Sequence, residues 1–143
     1  MAHAETEARK SGVFGEITLE DGPDGPALVC EATDAGAPAH YSIRHENGTT
    51  FIGLETRDRW LSESIEADVM HTGDSLEELI EEELVDRDLA VTGVTVQHYR
   101  DEGMCYVFRS PLPDAADERE TALWLLAYEA AFRELGDMND VEA

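Results

Sequence analysis

Two histidines and a tyrosine are the residues of this chain whose chemistry could build an acid–base or metal site. His45 and His98 each fall at the outer end of an apolar strand pattern, and pairing the strands around Gly103 places Tyr106 opposite His98. Imidazole groups transfer protons and bind metals near neutral pH. A pocket near His45, His98 and Tyr106 would therefore suit a small-molecule-binding protein or an enzyme. No His-x-His or Glu-x-x-His spacing accompanies them, so histidines at the rim of a core are the simpler interpretation.

Other chemical motifs are weaker. Cys105 and His98 could form a nucleophile pair, but nothing in the sequence places a base beside an activated thiolate. The loop at 21–26 lacks the alternate carboxylates and closing glutamate of a calcium site, so a plain turn is favoured. Neither a GxGxxG pattern nor a Walker pattern occurs. We therefore predict no catalytic residue, no metal site and no cofactor, and expect a protein that is not an enzyme.

The acidic composition restricts the kinds of partner. Thirty-three acidic residues oppose ten basic ones, and the formal net charge is −23. Direct nucleic-acid binding is disfavoured, because phosphate neutralisation needs clustered lysine and arginine. The acids are spread along the chain, which is typical of adaptation to a salt-rich cytoplasm where screening removes self-repulsion. The alternatives are an acidic inhibitor that imitates nucleic acid and an ordinary acidic protein.

Targeting signals are not found. Residues 1–10 have no apolar core, and the longest apolar run, 122–128, is far shorter than the ~20 residues of a membrane span. Cys30 and Cys105 lie far apart and do not make a disulfide framework. The expectation is a cytoplasmic protein that does not bind a membrane.

Alternating apolar residues and turn signals predict a sheet built from hairpins. Asn47-Gly48 between strands over 40–46 and 49–56 is typical of a two-residue type I′ turn. The expected pairs on one side are Tyr41 with Leu54, Ile43 with Ile52 and His45 with Thr50. Arg44 then faces Phe51 on the other side.

Further strands are predicted on either side of this hairpin. The stretches 13–20 and 27–33 read as a pair joined by a turn, and 91–100 and 104–110 form another around Asp101-Glu-Gly103. The ambiguous stretch 60–70 is interpreted as a strand. In that interpretation Leu61, Ile65, Ala67 and Val69 share one face.

Two helices are predicted to cover one face of the sheet. Ser75 and Glu78 are spaced as a capping box for a helix over 75–88. A second helix over 117–135 is apolar on most sides, which is typical of a helix buried by more than one neighbour. Its second apolar face is predicted to be the interface of a homodimer, formed by Leu123, Leu126, Ala127 and Ala130.

These elements predict one α+β domain. An antiparallel sheet of about five to seven strands, made of hairpins, is covered on one face by two α-helices. The domain spans 13–136, between a flexible N-terminal arm over 1–12 and a flexible tail over 137–143.

The element order from residue 39 onward resembles the fold of type III secretion chaperones and the YbjN-like regulators. Two stretches carry the resemblance: Ser75-Leu-Glu-Glu-Leu-Ile-Glu-Glu-Glu-Leu84 running into Val94-Thr-Val96, and Tyr106-Val-Phe-Arg-Ser-Pro-Leu-Pro113 followed by the amphipathic stretch 122–135. The resemblance implies a non-enzymatic dimer that binds a protein segment along an exposed sheet or helix surface. It carries over no catalytic residue.

The sequence therefore predicts a chaperone-like protein-binding or regulatory module of an acidic proteome. We expect it to form a homodimer and to bind a protein partner that the sequence does not identify.

Overall fold

A six-stranded antiparallel sheet with four helices packed against it makes up the described part of the chain. The computed structural model describes residues 1–33, 37–72 and 75–134, and of 68–72 the backbone only. The strands are β1 (Phe14–Gly22), β2 (Gly25–Ala32), β3 (Ala39–Glu46), β4 (Thr49–Thr56), β5 (Gln97–Arg100) and β6 (Tyr106–Pro111). The helices are α1 (Ala2–Ser11), α2 (Arg59–Thr72), α3 (Leu76–Val85) and α4 (Glu118–Glu134). The strand order is β1-β2-β3-β4-β6-β5, which confirms the predicted α+β class.

The hairpin of β3 and β4 has the predicted register. Its paired residues are Tyr41 with Leu54, Ile43 with Ile52, His45 with Thr50 and Arg44 with Phe51. Asn47 and Gly48 have φ values of 52° and 81°, the left-handed conformations that a type I′ turn requires. Local turn chemistry and the apolar pattern therefore agree with the fold.

The strand predicted over 60–70 is wrong, because this stretch belongs to helix α2. The Asp58 carboxylate accepts a hydrogen bond of 2.9 Å from the backbone N–H of Leu61, which starts the helix. Leu61 and Ile65 are both fully buried. A spacing of four residues places two side chains together on a strand and also on a helix, so these two residues fit either structure.

The flexible arm predicted over 1–12 is also wrong, because residues 2–11 form helix α1. Its buried side chains are Ala4 and Ala8, which lie one turn apart and are 2% and 1% exposed. Two alanines make a weak apolar pattern in a sequence, yet their small size suits close packing, and α1 packs against α4 and β1. The tail predicted over 137–143 lies outside the described residues.

The hairpin of β5 and β6 is shorter than predicted and has a different register. Residues 91–96 are not in a strand, and His98 faces Phe108, while Tyr106 faces Arg100. The carboxylate of Asp101 accepts a hydrogen bond of 2.9 Å from the backbone N–H of Cys105. This contact closes the turn, in which Met104 has a left-handed φ of 66°.

The core lies between the helices and one face of the sheet. Five strands supply core residues from that face: Phe14, Leu28, Cys30, Ala39, Tyr41, Ile43, Ile52, Leu54 and Phe108. Val29 and Val107 point to the opposite face and, although buried, are not part of this core. All four helices contribute to the core, so four helices, where two were predicted, cover one face.

Helices α3 and α4 confirm the two helices that the sequence predicts. The Ser75 hydroxyl accepts a hydrogen bond of 3.1 Å from the backbone N–H of Glu78, as the capping pattern indicates. Helix α4 contacts the sheet, α1 and α3.

The flanking helices correct the predicted interface on α4. Ala127 and Ala130 are 0% and 4% exposed within the single chain, whereas Leu123 and Leu126 are half-buried. The second apolar face of α4 is therefore largely occupied inside the monomer. Of the four predicted interface residues, Leu123 and Leu126 remain partly accessible, whereas Ala127 and Ala130 do not.

Candidate functional site

The structure does not gather the three residues of the predicted pocket. His45 Nδ1 lies 3.0 Å from Thr50 Oγ1 near the tip of the first hairpin. His98 stacks on Phe108 with 3.8 Å between ring centroids. The pairing of the strands separates His45 from His98 by roughly 13 Å along the strands and by three strand spacings, roughly 14 Å, across them. Tyr106 is paired with Arg100 and Thr56, two residues along the strand from the row of His98.

His98 instead belongs to a contact between β5 and α2. Its Nδ1 lies 3.0 Å from the backbone carbonyl oxygen of Val107, and its Nε2 lies 3.4 Å from Ser62 Oγ. The carboxylate of Glu66 also contacts Nε2. These contacts attach the edge strand to the helix. His98 therefore has a structural role at the rim of the core, the simpler of the two interpretations of the sequence.

The cysteines do not form a nucleophile site with His98. Cys30 is fully buried, and this burial raises the pKa of its thiol to about 12. Burial is also the main reason that the pKa of Cys105 is raised, so its thiolate is disfavoured at neutral pH. Cys105 lies on the opposite side of the sheet from His98, since it alternates with Tyr106 and Phe108 along the chain.

Among the side chains that the structure describes, those of residues 1–33, 37–67 and 75–134, no group of three His, Cys, Asp or Glu could hold a metal ion. Among the same residues, no helix is long and apolar enough to cross a membrane.

One concave site lies on the sheet face that the described helices leave bare, which we name the uncovered face. Strands β3, β4, β6 and β5 enclose a hollow of about 430 Å³ there. Its principal lining residues are Ser42, Arg44, Phe51, Gly53, Glu55, Tyr99 and Arg109. Gly53 forms part of the floor, and a Cβ atom at this position would lie 3.2 Å from the carbonyl oxygen of Phe108. A side chain at this position would therefore crowd the neighbouring strand.

An arginine stacked on two aromatic rings occupies one side of this hollow. The guanidinium carbon of Arg109 lies 3.8 Å from the ring centroid of Phe51 and 5.2 Å from that of Tyr99. Arg109 Nε donates a hydrogen bond of 2.9 Å to Gln97, and Nη1 donates one of 2.8 Å to Glu46. Stacking and hydrogen bonds fix the guanidinium in place, with its charge near the rings.

A second arginine is held at the other side of the hollow. Arg44 forms a forked ion pair with Glu55, through Nε at 2.7 Å and Nη2 at 2.9 Å. The Ser42 hydroxyl donates a further hydrogen bond of 2.7 Å to the same carboxylate. The hydrogen bonds to Glu55 raise the pKa of Arg44, although partial burial opposes them. Both arginines are therefore ordered before any ligand arrives.

The hollow combines features of the centre of a protein–protein interface. Ser42 and Val107 are 2% and 6% exposed, while the rings of Phe51 and Tyr99 remain accessible around them. Aromatic residues and arginine are enriched in interfaces, and ordered side chains lose less entropy on binding. The sequence indicated one part of this site, the pairing of Arg44 with Phe51. Tyr99 and Arg109 join it only because β6 pairs with β4, which no local signal shows.

Comparison of the chain with protein-family models, with curated proteins and with solved structures found no match. The resemblance to type III secretion chaperones and the YbjN-like regulators therefore stays a prediction.

Proposed function

We propose that this protein is a non-enzymatic, chaperone-like protein-binding module that holds a protein partner on the uncovered face of its sheet. The observation that carries the proposal is the stack of Arg109 between Phe51 and Tyr99 on a face without a described helix. Tyrosine and arginine are the side chains that most often dominate binding energy when they lie in a desolvated centre. A protein surface is the ligand class we propose, because aromatic residues and arginine are enriched at protein–protein interfaces.

The charge of the chain supports binding in a salt-rich cytoplasm. At a net charge of −23, most partners that are also acidic are repelled in dilute buffer. At about 1 M salt the Debye length falls to about 3 Å, so that only groups in contact interact strongly. Short-range stacking and hydrogen bonds on the uncovered face then determine which partner binds.

A homodimer remains part of the proposal. Because Ala127 and Ala130 of the predicted interface are buried in the monomer, we propose a different surface for it. The uncovered face is the surface where a second copy would compete with a partner. Sedimentation velocity at molar salt on the wild type and on Tyr99→Ala distinguishes these arrangements. If the wild type is a dimer and the variant is a monomer, self-association uses this face.

The alternative of a small-molecule-binding protein or enzyme has no supporting arrangement among the described residues. His45 and His98 lie in different rows of the sheet, and Tyr106 faces Arg100. No observation favours the second alternative either, an acidic imitator of nucleic acid.

The decisive experiment is a pull-down from the lysate of the native organism at its own cytoplasmic salt. The baits are the tagged wild type, the double variant Tyr99→Ala with Arg109→Ala, and the control Trp60→Ala. Trp60 is 69% exposed on α2, so its replacement by alanine removes an accessible ring elsewhere on the molecule. We expect one stoichiometric protein to bind the wild type and the control and to be lost from the double variant. Equal recovery by all three folded baits, or no partner at all, contradicts the proposal.

A further inference from the structure

A second hollow lies beside helix α3 and the segment that follows it. We name it the α3 groove; its volume is about 560 Å³. Val85, Ala90 and Val91 supply its apolar surface, and Val85 is 56% exposed. Glu78, Glu82 and Asp86 form an exposed acidic rim. The α3 groove is thus an accessible apolar strip bordered by carboxylates.

The chain after α3 is fixed in the position that forms the groove. The backbone N–H of Leu89 donates a hydrogen bond of 2.9 Å to the carbonyl oxygen of Leu84, and Asp88 turns the chain with a φ of 63°. The Glu81 carboxylate then accepts a hydrogen bond of 3.2 Å from the backbone N–H of Val94. Val94 is buried, so the segment is anchored on both sides of the apolar strip. The groove is therefore present without a ligand.

The acidic rim has no basic partner within the described part of the chain. Among the residues that the structure describes, no basic side chain lies within ion-pair distance of Glu78, Glu82 or Asp86. The neighbouring Arg87 is paired with Glu83 at 3.2 Å. Negative charge accumulates at this end of α3: burial, and then the charges of Glu83, Glu82 and Asp86, raise the pKa of Glu134.

We propose that the α3 groove docks a positively charged segment of a partner protein. An aliphatic side chain of that segment packs on Val85 and Val91, and flanking arginine or lysine side chains meet Glu78, Glu82 and Asp86. Complementary charge around an apolar contact supplies orientation and selectivity, while the apolar contact supplies most of the affinity. This inference does not depend on the uncovered face, because it uses no residue of the sheet.

The test uses fluorescein-labelled synthetic peptides and fluorescence anisotropy with the full chain in dilute salt. The probe peptide alternates arginine and leucine. A second peptide alternates arginine and serine and keeps the charge, and a third alternates glutamate and leucine and keeps the apolar residues. We expect the arginine–leucine peptide to bind at least about tenfold more tightly than either comparison peptide, which corresponds to about 1.4 kcal/mol.

Matched variants locate the binding. Glu78→Gln with Glu82→Gln removes two rim charges, and Glu16→Gln with Glu102→Gln removes two exposed charges elsewhere. We expect affinity for the arginine–leucine peptide to fall roughly tenfold in the first pair and by less than about twofold in the second. Val85→Ser should weaken binding similarly, whereas Leu19→Ser, at a residue 49% exposed on β1, should not.

Several results would overturn the proposal. Equal losses of affinity in the two charge variants would show general attraction to an acidic surface. If the arginine–serine peptide bound as tightly as the arginine–leucine peptide, the apolar contact would contribute nothing. Preferential binding of the glutamate–leucine peptide would reverse the expected charge. A wild-type dimer that Val85→Ser dissociates would assign the groove to a second copy of the chain. Tyr99→Ala with Arg109→Ala should leave peptide binding unchanged, so this test and the pull-down fail independently.

Discussion

At the scale of single residues, the two arginines of the uncovered face are held in different ways. Arg109 rests on aromatic rings, whereas Arg44 depends on one carboxylate that also binds Ser42. Glu55 is only 17% exposed, so its charge is compensated by these donors more than by water. Loss of this carboxylate leaves three donor groups without their acceptor, which costs more than the loss of an exposed ion pair.

We therefore expect Glu55→Ala to lower the free energy of unfolding by about 1–3 kcal/mol. Glu20→Ala provides a matched control, because Glu20 lies 3.8 Å from the same arginine but is 51% exposed. Its effect should stay below about 1 kcal/mol. Urea denaturation of both variants at one fixed salt concentration measures the difference. Equal destabilisation by the two substitutions would show that the Glu55 network has no special contribution.

At the scale of elements, the sequence predicted those parts of the fold that local chemistry determines. Asn47-Gly48 favours a type I′ turn, and this turn fixes the register of β3 with β4 that the structure confirms. Ser75 and Glu78 similarly marked the start of α3. The sequence does not predict helix α1, because its buried face consists of alanines and alanines give little periodic apolar signal.

The candidate site was less accessible to sequence reasoning than the fold. Arg44 and Phe51 belong to one hairpin, and their pairing was predicted. Tyr99 and Arg109 reach the hollow through the pairing of β6 with β4, across about fifty residues of intervening chain that include two helices. Long-range pairing of this kind depends on the packing of the whole sheet, and no turn or cap signals it.

The cap of α2 offers a test at this scale. Asp58→Ala removes the acceptor for the N–H of Leu61, so we expect the free energy of unfolding to fall by about 1 kcal/mol. Asp58→Asn should retain most of the stability, since asparagine also caps helices. Urea denaturation followed by circular dichroism measures both. If the alanine variant is as stable as the wild type, the hydrogen bond of Asp58 is not what starts this helix.

At the scale of the whole molecule, uncompensated negative charge works against folding. The acids behind the charge of −23 are distributed from Glu5 to Glu142, and at the end of α4 neighbouring carboxylates help to raise the pKa of Glu134. A carboxyl whose pKa is raised by folding destabilises the folded state when ionised, and this cost is lost as pH falls through the raised pKa. Screening by salt reduces the same repulsion at constant pH.

We expect the Tm to rise by roughly 5 °C or more between dilute buffer and about 1 M KCl. Most of this rise should occur in the low-salt part of the series, where the Debye length is still long. Differential scanning calorimetry along a KCl series measures this. Sorbitol at matched osmolality is the control, because it does not screen charge. A Tm that is independent of KCl, or that sorbitol raises equally, would contradict screening as the cause.

The central position of α4 has a consequence for synthesis of the chain. This helix lies between the sheet, α1 and α3, yet it follows every one of them in sequence. While the ribosome has released the strands but not residues 118–134, the sheet side bearing Tyr41, Ile43 and Leu54 has no cover from α4. Nascent chains therefore pass through an incompletely folded stage with exposed apolar surface. We expect fragments that terminate before residue 118 to aggregate.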